Sequence, residues 1–275
     1  MTDRKKITGK WHGKRYDYED LENNTVQLLI KNLKYLNKQY NITGIKQSFE
    51  DEGALLSDVT TMRRITELCG MLMYVKIGGC EAITDINNCV TLGIDSLIAP
   101  MIETKYSFQK FINAVSNIKE TSFYFLCETE TAYSNIDSIL ESEEAKKLSG
   151  VIVGRSDFVK SYNLDKSEVN SQIISDKVED IFRKSKNLGL KTTMGGNIST
   201  NSVEFIKYLH SNNLLDKIET RNVVVELDDY NVNNLYDTIK SILRYEIQWL
   251  RYKAINYNSI GDSYLHRADI LKERL

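Results

Sequence analysis

Two carboxylates, Glu128 and Asp157, lie just after short apolar runs of the chain. The first run is "SFYFLC", residues 122–127, and the second is "GVIVG", residues 150–154, with a helical pattern between them. Strands joined by a helix pair in parallel, so their carboxyl ends meet at one edge of the sheet. Carboxylate oxygens are the ligands that Mg²⁺ and Mn²⁺ prefer, with water and substrate completing the coordination. The alternative is that Glu128 caps the following helix and that Asp157 is an ordinary acidic loop residue. The occurrence of the two carboxylates at consecutive strand ends favours a metal site.

Other predicted strand ends also carry polar or glycine residues. They are the acidic run Glu50 to Glu52, Lys76 with the two glycines after it, Pro100–Thr104, Gly154–Asp157 and Gly195–Asn197. Catalytic groups of parallel α/β proteins gather at these ends because the loops there surround one cavity. The sequence therefore predicts a single site in which acidic, basic and glycine-rich strand ends converge.

The elements that would position these residues alternate regularly. The predicted strands are 42–49, 71–77, 95–101, 121–127, 150–154, 190–195 and 222–227, with helical patterns between them. This order predicts parallel pairing with helices outside, in an open doubly wound sheet or a closed barrel. A length of 275 residues suits a TIM-type (β/α)8 barrel, which needs about 250 residues. One strand is missing from the pattern, and "GKRYDY" at 13–18 is a weak candidate for it.

The segment 232–275 reads as one or two long helices rich in Tyr, Trp and Leu. It is more apolar than a lone surface helix needs, which predicts packing on the barrel or on another subunit. The alternative is a final barrel helix with a polar tail. We therefore divide the chain into a barrel with a basic N-terminal arm, 1–231, and a C-terminal helical extension, 232–275.

Composition narrows the function classes. A net charge of −2 and the lack of a sustained basic stripe argue against a nucleic-acid partner. No apolar run approaches the roughly 18 residues of a membrane span, so no membrane partner is expected. Four cysteines without a CxxC pair predict reduced thiols in a cytoplasmic protein, and three histidines supply a zinc site poorly.

The pair "ETETAYSNIDSIL" and "GVIVGRSDF" resembles the paired motif of the HpcH/HpaI aldolase and citrate lyase β-subunit family. The stretch 87–104 is also similar to that family. The resemblance implies a (β/α)8 barrel in which Glu128 and Asp157 ligate Mg²⁺ (or Mn²⁺), and in which the backbone N–H groups of Gly154, Arg155 and Ser156 hold a substrate carboxylate. It also implies a C-terminal extension that packs on neighbouring subunits, hence a homo-oligomer.

The chain departs from that family at two places. Lys76, in "YVKIGG", stands where the family has a substrate-facing arginine, so the positive charge is kept but the bidentate fork is lost. The histidine–aspartate pair that serves the hydroxy-keto-acid aldolases as general base is absent, and Glu50 or Asp51, in "FEDEGA", would act there instead.

The resulting expectation is a Mg²⁺-dependent carbon–carbon lyase or aldolase that acts on a pyruvate-like 2-keto acid through a metal-stabilised enolate. "FEDEGA" favours a citrate lyase β-like lyase of acyl-CoA or another acyl thioester as the first alternative. The absence of the histidine–aspartate pair favours a non-catalytic metal-binding barrel as the second alternative. Two lesser predictions concern the glycine-rich "TTMGGNIST", which could bind phosphate or carboxylate through backbone amides, and Glu219 with Thr220, expected at the opposite face of the barrel.

Overall fold

The computed structural model describes residues 8–11, 14–17, 26–49, 53–256 and 261–275. Its strands are β1 (Thr8–Trp11), β2 (Lys14–Asp17), β3 (Ile42–Ser48), β4 (Leu72–Lys76), β5 (Ser96–Ala99), β6 (Ser122–Cys127), β7 (Gly150–Gly154), β8 (Lys191–Gly195), β9 (Lys217–Glu219) and β10 (Val223–Glu226). Its helices are α1 (Val26–Tyr40), α2 (Leu56–Cys69), α3 (Ile83–Thr91), α4 (Lys105–Ala114), α5 (Glu130–Ser134), α6 (Ile136–Leu140), α7 (Arg155–Ser161), α8 (Gln172–Asn187), α9 (Val203–Ser211), α10 (Asp229–Asn233), α11 (Leu235–Asn256) and α12 (Gly261–Lys272). Short 3₁₀ helices span Glu143–Lys147, Lys166–Asn170 and Thr200–Ser202.

Strands β3 to β10 close into an eight-stranded barrel, which confirms the TIM-type fold class. Strands β3 to β9 run parallel, whereas β10 is antiparallel to both of its neighbours, β9 and β3. The prediction that 222–227 pairs in parallel was therefore wrong. Only three residues, 220–222, separate β9 from β10, and a parallel crossover needs a dozen or more. The chain must turn back as a hairpin.

The missing barrel strand is β9, not the candidate at 13–18. Residues 14–17 form β2, which pairs with β1 in a separate antiparallel sheet. Strand β9 is three residues long and carries one apolar residue, Ile218, between Lys217 and Glu219. Three residues are too few to show the alternation by which a strand is recognised from sequence.

The inside of the barrel is filled by large side chains. A cluster made of Tyr74, Ile98, Tyr124, Leu126, Ile152 and Val224 is separate from the main core between the strands and the helices. Two glycines make room for the tyrosines: a Cβ on Gly44 would lie 2.5 Å from the ring of Tyr74, and one on Gly150 would lie 2.8 Å from the ring of Tyr124. The barrel is thus a packed core, as in other TIM barrels, and the space for a ligand lies beyond its carboxyl ends.

The C-terminal extension packs within its own chain. Helix α11 lies against α1 and α12, and its Trp249 is fully buried without any partner subunit. An amide hydrogen bond of 2.8 Å from Asn32 to Gln248 ties α1 to α11. None of the helices in the described ranges is long and apolar enough to cross a membrane.

Candidate active site

A cavity of about 190 Å³ opens at the carboxyl ends of the barrel strands. The predicted site residues that line it are Lys76, Glu128, Gly154, Ser156 and Asp157. Two other predicted residues, Glu50 and Asp51, lie outside the residues that the structure describes. The strand ends therefore converge on one pocket, as the parallel order of the elements indicated.

Glu128 follows β6 and is the most deeply placed carboxylate of the pocket, with 2% of its surface exposed. Its Oε1 accepts a hydrogen bond of 3.2 Å from the backbone N–H of Met101. Met101 follows β5 in the left-handed region, with φ 52°, which costs a non-glycine residue free energy and is common at functional sites. Glu128 is therefore held by the barrel and is not simply a helix cap.

Lys76 lies opposite Glu128. It ends β4, is 8% exposed, and places its Nζ 3.9 Å from Oε2 of Glu128. Lys76 is therefore not a solvated lysine at the surface of the barrel. A largely desolvated ammonium beside the carboxylate supplies positive charge to the inner end of the pocket.

Asp157 occupies the first turn of α7, in the same pocket. Its Oδ1 lies 2.8 Å from Nζ of Lys160, one turn further along α7, and its side chain is 36% exposed. An acidic residue in the first turn is favoured by the helix dipole. Asp157 is thus more solvated than Glu128 and can change partners at lower cost.

Glycines at two strand ends leave space for carboxylates. A Cβ on Gly154, at the end of β7, would lie 3.2 Å from Oε2 of Glu128. A Cβ on Gly195, at the end of β8, would lie 3.0 Å from Oε1 of Glu219. The glycines in "GVIVG" and "TTMGG" therefore admit the acidic side chains of neighbouring strands into the pocket.

Arg155 does not offer its charge to this pocket, and the prediction that its backbone N–H holds a substrate carboxylate stays a prediction. Its side chain is fully buried, and the guanidinium donates five hydrogen bonds to neutral oxygens of Val169, Asn170, Gly195, Gly196 and Ser202. Burial lowers the pKa of Arg155 to about 10. Successive side chains of β7 alternate between the inside and the outside of the barrel, so Gly154 faces inward and Arg155 faces outward. From the outside, the hydrogen bonds of Arg155 connect the end of β7 to the end of β8.

The backbone around Arg155 is closely packed on the following strand end. Gly196 has φ 78°, and a Cβ there would lie 2.4 Å from the backbone nitrogens of both Arg155 and Ser156. Only glycine fits this approach, because any side chain would collide with the backbone. Gly196 and its neighbour Asn197 line the pocket. The glycine-rich turn is thus part of the site.

Sequence reasoning missed a second lysine–glutamate pair. Lys46 on β3 and Glu219 on β9 form an ion pair within the pocket, and their side chains are 12% and 4% exposed. The prediction that Glu219 and Thr220 lie at the opposite face was wrong, because β9 ends at Glu219 and both residues line the pocket. Residues two apart in a strand face the same side, and Gly44 of "TGIKQS" faces the inside of the barrel. The sequence therefore indicated that Lys46 also faces inward.

The donor set of the pocket fits a hard divalent cation. Glu128 and Asp157 are both carboxylates, and Mg²⁺ is commonly bound through one or two carboxylates with water and substrate in the other positions. Within the described ranges, no group of three or more His, Cys, Asp or Glu side chains is placed to hold a metal ion. A cation bound here would therefore keep several positions open for ligands other than these two side chains.

The sequence profile of the HpcH/HpaI aldolase/citrate lyase family matches residues 59–199. The chain belongs to this family. The matched segment contains Lys76, Glu128 and Asp157 of the pocket and ends before Glu219. Since the family consists of aldolases and lyases, membership supports an enzyme of the aldolase or lyase type. A comparison with curated protein sequences finds no significant match.

Several solved structures share the fold at low sequence identity. An HpcH/HpaI aldolase from Desulfitobacterium hafniense matches with TM-score 0.58 and 10% identity, over 78% of this chain and 86% of its own. The citrate synthase SbnG matches with TM-score 0.57 and 12% identity, over 81% and 89%. A citrate lyase from Burkholderia xenovorans matches with TM-score 0.56 and 11% identity, over 91% of both chains. These similarities establish the barrel fold of this family member.

Proposed function

We propose that this family member is a carbon–carbon lyase or aldolase that acts on a pyruvate-like 2-keto acid through an enolate, with Mg²⁺ or Mn²⁺ as cofactor. The observation that carries the proposal is the meeting of Lys76, Glu128 and Asp157 in one pocket at the carboxyl ends of the barrel strands. Family membership supports the reaction type. Metal dependence and the keto-acid substrate are our inference from the donor set and the charges.

Glu128 and Asp157 would hold the metal, which would supply Lewis-acid chemistry when bound. Lys76 would stabilise the negative charge that develops on the substrate when the carbon–carbon bond breaks. Its burial strengthens this effect, because the field of a charge is weakened less at a desolvated site than in water. Ser156 and Gly154, on the same wall, would face the substrate carboxylate.

Proton transfer needs a group other than histidine. Among the described residues that line the pocket none is a histidine, and the predicted bases Glu50 and Asp51 lie outside them. The Lys46–Glu219 pair faces the same cavity and joins a proton acceptor to a proton donor. We propose that Glu219 takes the proton and that Lys46 keeps its carboxylate oriented.

The test is a panel of 4-hydroxy-2-keto acids, assayed for release of pyruvate with Mg²⁺, with Mn²⁺ and with a chelator. We expect cleavage that requires the metal, and we expect Glu128→Gln to abolish it. The matched control is Glu130→Gln, because Glu130 lies two residues further on and is exposed. Metal-independent cleavage, or equal losses in the two variants, would contradict the assignment.

A further inference from the structure

The turn between β9 and β10 lies beside the pocket and carries part of its lining. It consists of residues 220–222, and the strand before it ends at Glu219. Glu219, Thr220 and Arg221 all line the cavity. Asn222, the last residue of the turn, is fully buried. A contact that fixes this turn therefore also fixes the place of Glu219, the proton acceptor proposed above.

Asn222 connects the turn to β3 at Lys46. The backbone N–H of Lys46 donates a hydrogen bond of 2.8 Å to the carbonyl oxygen of Asn222. The side-chain amide of Asn222 donates a hydrogen bond of 3.2 Å to the carbonyl oxygen of Lys46. The side chain of Lys46 forms the ion pair with Glu219. Asn222 therefore binds the backbone of one member of this pair and lies in the turn that follows the other.

The strand pairing alone holds Glu219 on one side only. Among the described residues of β9, Lys217 and Ile218 pair with β8, whereas Glu219 does not. On the other side, Glu219 pairs with Val224 of β10. The backbone of Glu219 is thus held by the β9–β10 hairpin, and its position depends on how firmly the turn of that hairpin is fixed.

Glu246 of helix α11 binds this turn. Its Oε1 accepts a hydrogen bond of 2.7 Å from the backbone N–H of Asn222, in the buried interior. Glu246 is only 1% exposed. A carboxylate is costly to bury unless donors compensate it, and hydrogen bonds to a charged acceptor are about twice as strong as those between neutral groups. The contact therefore fixes the turn against the C-terminal extension.

Glu246 also interacts with the segment that follows α12. Burial lowers the pKa of Arg274, and the charge of Glu246 opposes that shift, so the two side chains lie near each other. Arg274 lines the pocket. Glu246 is thus shared by two segments of the pocket lining, the β9–β10 turn and the segment after α12.

We infer that Glu246 is a positioning residue, which holds the β9–β10 turn so that Glu219 and Lys46 keep the orientation needed for proton transfer. The inference rests on the proposed function for the role of Glu219. Glu246 is not among the described residues that line the cavity, so it acts through the turn and not by contact with a substrate. The C-terminal extension is then a functional part of the active site.

Orientation matters here because a general base must lie within hydrogen-bond reach of the proton that it removes. That reach is about 2.6 to 3.2 Å between heavy atoms. A displacement of about 1 Å can lower the rate by about 100-fold. A turn that is free to shift would therefore lower turnover without removing any group from the pocket.

The first test needs no substrate. Hydrogen exchange of the backbone amides of 219–223 is measured by mass spectrometry on the full chain. We expect Glu246→Leu to speed this exchange by about 10-fold or more, because the N–H of Asn222 loses a charged acceptor. Glu246→Gln should stay within about threefold of the parent, since its amide oxygen can accept the same hydrogen bond.

Gln248→Leu is the matched control. It removes a hydrogen bond from the same helix, but the partner of Gln248 is Asn32 of α1 and not the turn. Exchange of 219–223 should not change in this variant. If Glu246→Leu does not fold, Glu246→Asp gives the same readout, because it keeps the charge and withdraws it from the turn by one carbon. Unchanged exchange in the Glu246 variant, or an equal increase in the control, would overturn the inference.

The second test links the turn to catalysis by a double-mutant cycle. Metal-dependent release of pyruvate from a 4-hydroxy-2-keto acid is measured for Glu246→Leu, Glu219→Gln and the double variant. We expect Glu246→Leu to lower kcat by about 10- to 100-fold, with KM within about threefold of the parent. In the Glu219→Gln background it should lower kcat by less than about threefold, because the group that it positions is already lost. An equal factor in both backgrounds would show a purely structural role and overturn the inference.

The two tests separate this inference from the proposed function. If the parent releases no pyruvate, the proposed function fails and the proton-transfer role of Glu246 fails with it, while the exchange of 219–223 still shows whether Glu246 holds the turn. If cleavage requires Glu128 but does not respond to Glu246→Leu, the proposed function stands and the positioning role is excluded.

Discussion

Two parts of the pocket lining are built in different ways. At the inner end, Lys46, Lys76, Glu128 and Glu219 are at strand ends or within strands, are largely buried, and form lysine–glutamate pairs. The other basic residues of the lining, Lys160, Lys166, Arg221, Arg267 and Arg274, come from helices and turns and are half-buried or exposed. The rigid strand ends suit a reaction that needs fixed geometry, and the connecting segments suit recognition of what distinguishes one substrate from another.

The family match does not follow the division between these regions. Lys76, Glu128, Lys160 and Lys166 fall inside 59–199, whereas Lys46, Glu219, Arg221, Arg267 and Arg274 fall outside it. The similarity to the family therefore covers Lys76, Glu128 and Asp157 but not the Lys46–Glu219 pair.

The largest effect is expected from loss of the proposed metal ligands. Glu128→Gln and Asp157→Asn should each abolish the rise in melting temperature that Mg²⁺ causes, because binding to the folded state alone produces that rise. The fold should persist, since the substitutions keep the shape of the side chains. Thermal unfolding with and without Mg²⁺ measures the rise in melting temperature. An undiminished rise in both variants would contradict the assignment of Glu128 and Asp157 as metal ligands.

Lys76 tests whether the buried charge at the inner end takes part in the reaction. Lys76→Met should lower kcat by ~10²- to 10³-fold, in line with loss of one preorganised electrostatic donor. Lys76→Arg should retain most of the activity, since it keeps the charge and restores the fork. Steady-state kinetics of the two variants decide the point. If Lys76→Met has the same kcat as the parent, Lys76 takes no part in the reaction and its role is structural.

Glu219 tests whether the second lysine–glutamate pair moves a proton. Glu219→Gln should lower kcat by about 10²-fold, the lower part of the range for a general base, with little change in KM. Steady-state kinetics measure both parameters, and a kcat within about threefold of the parent would show that Glu219 takes no part in proton transfer.

Arg155 should separate stability from catalysis. Arg155→Met removes five hydrogen bonds, three of them fully buried, so we expect the free energy of unfolding to fall by about 2 to 4 kcal/mol. The kcat of the folded fraction should stay within about threefold of the parent. Urea denaturation and active-site titration measure the two quantities, with exposed Arg183→Met as the control.

The smallest expected effect is the pH dependence of stability at Lys166. Because the pKa of Lys166 is lowered in the folded state, the unfolded chain holds more protons on this residue at alkaline pH. Folding stability should therefore rise as the pH increases from below the folded pKa towards the ordinary value of 10.5. The difference in melting temperature between the parent and Lys166→Gln, measured from pH 8 to 10.5, should shift in favour of the parent. A flat difference would show that neither partial burial nor the neighbouring cations lower the pKa of Lys166 in the folded state.

Much of the fold followed from local pattern. The alternation of apolar runs and helical spacing predicted the six parallel strands β3 to β8 and the helical extension that forms α11 and α12. Strand β9 was missed, and β10 was predicted with the wrong direction. The long apolar strands were recognisable because burial on both faces demands apolar residues throughout. Strand β9 escaped because three residues, two of them charged, carry no such signal.

Local sequence pattern was enough to predict that Lys76, Glu128, Gly154 and Asp157 lie at strand ends, because strands and helices have local periods and the end of an apolar run marks the end of its strand. Only the closed barrel decided that Lys46 meets Glu219, 173 residues further along, and that segments from 160 to 274 line one pocket. It also decided that Arg155 faces away from the cavity. These outcomes depend on which elements become neighbours when the barrel closes, and that is a property of long-range packing which no local spacing encodes.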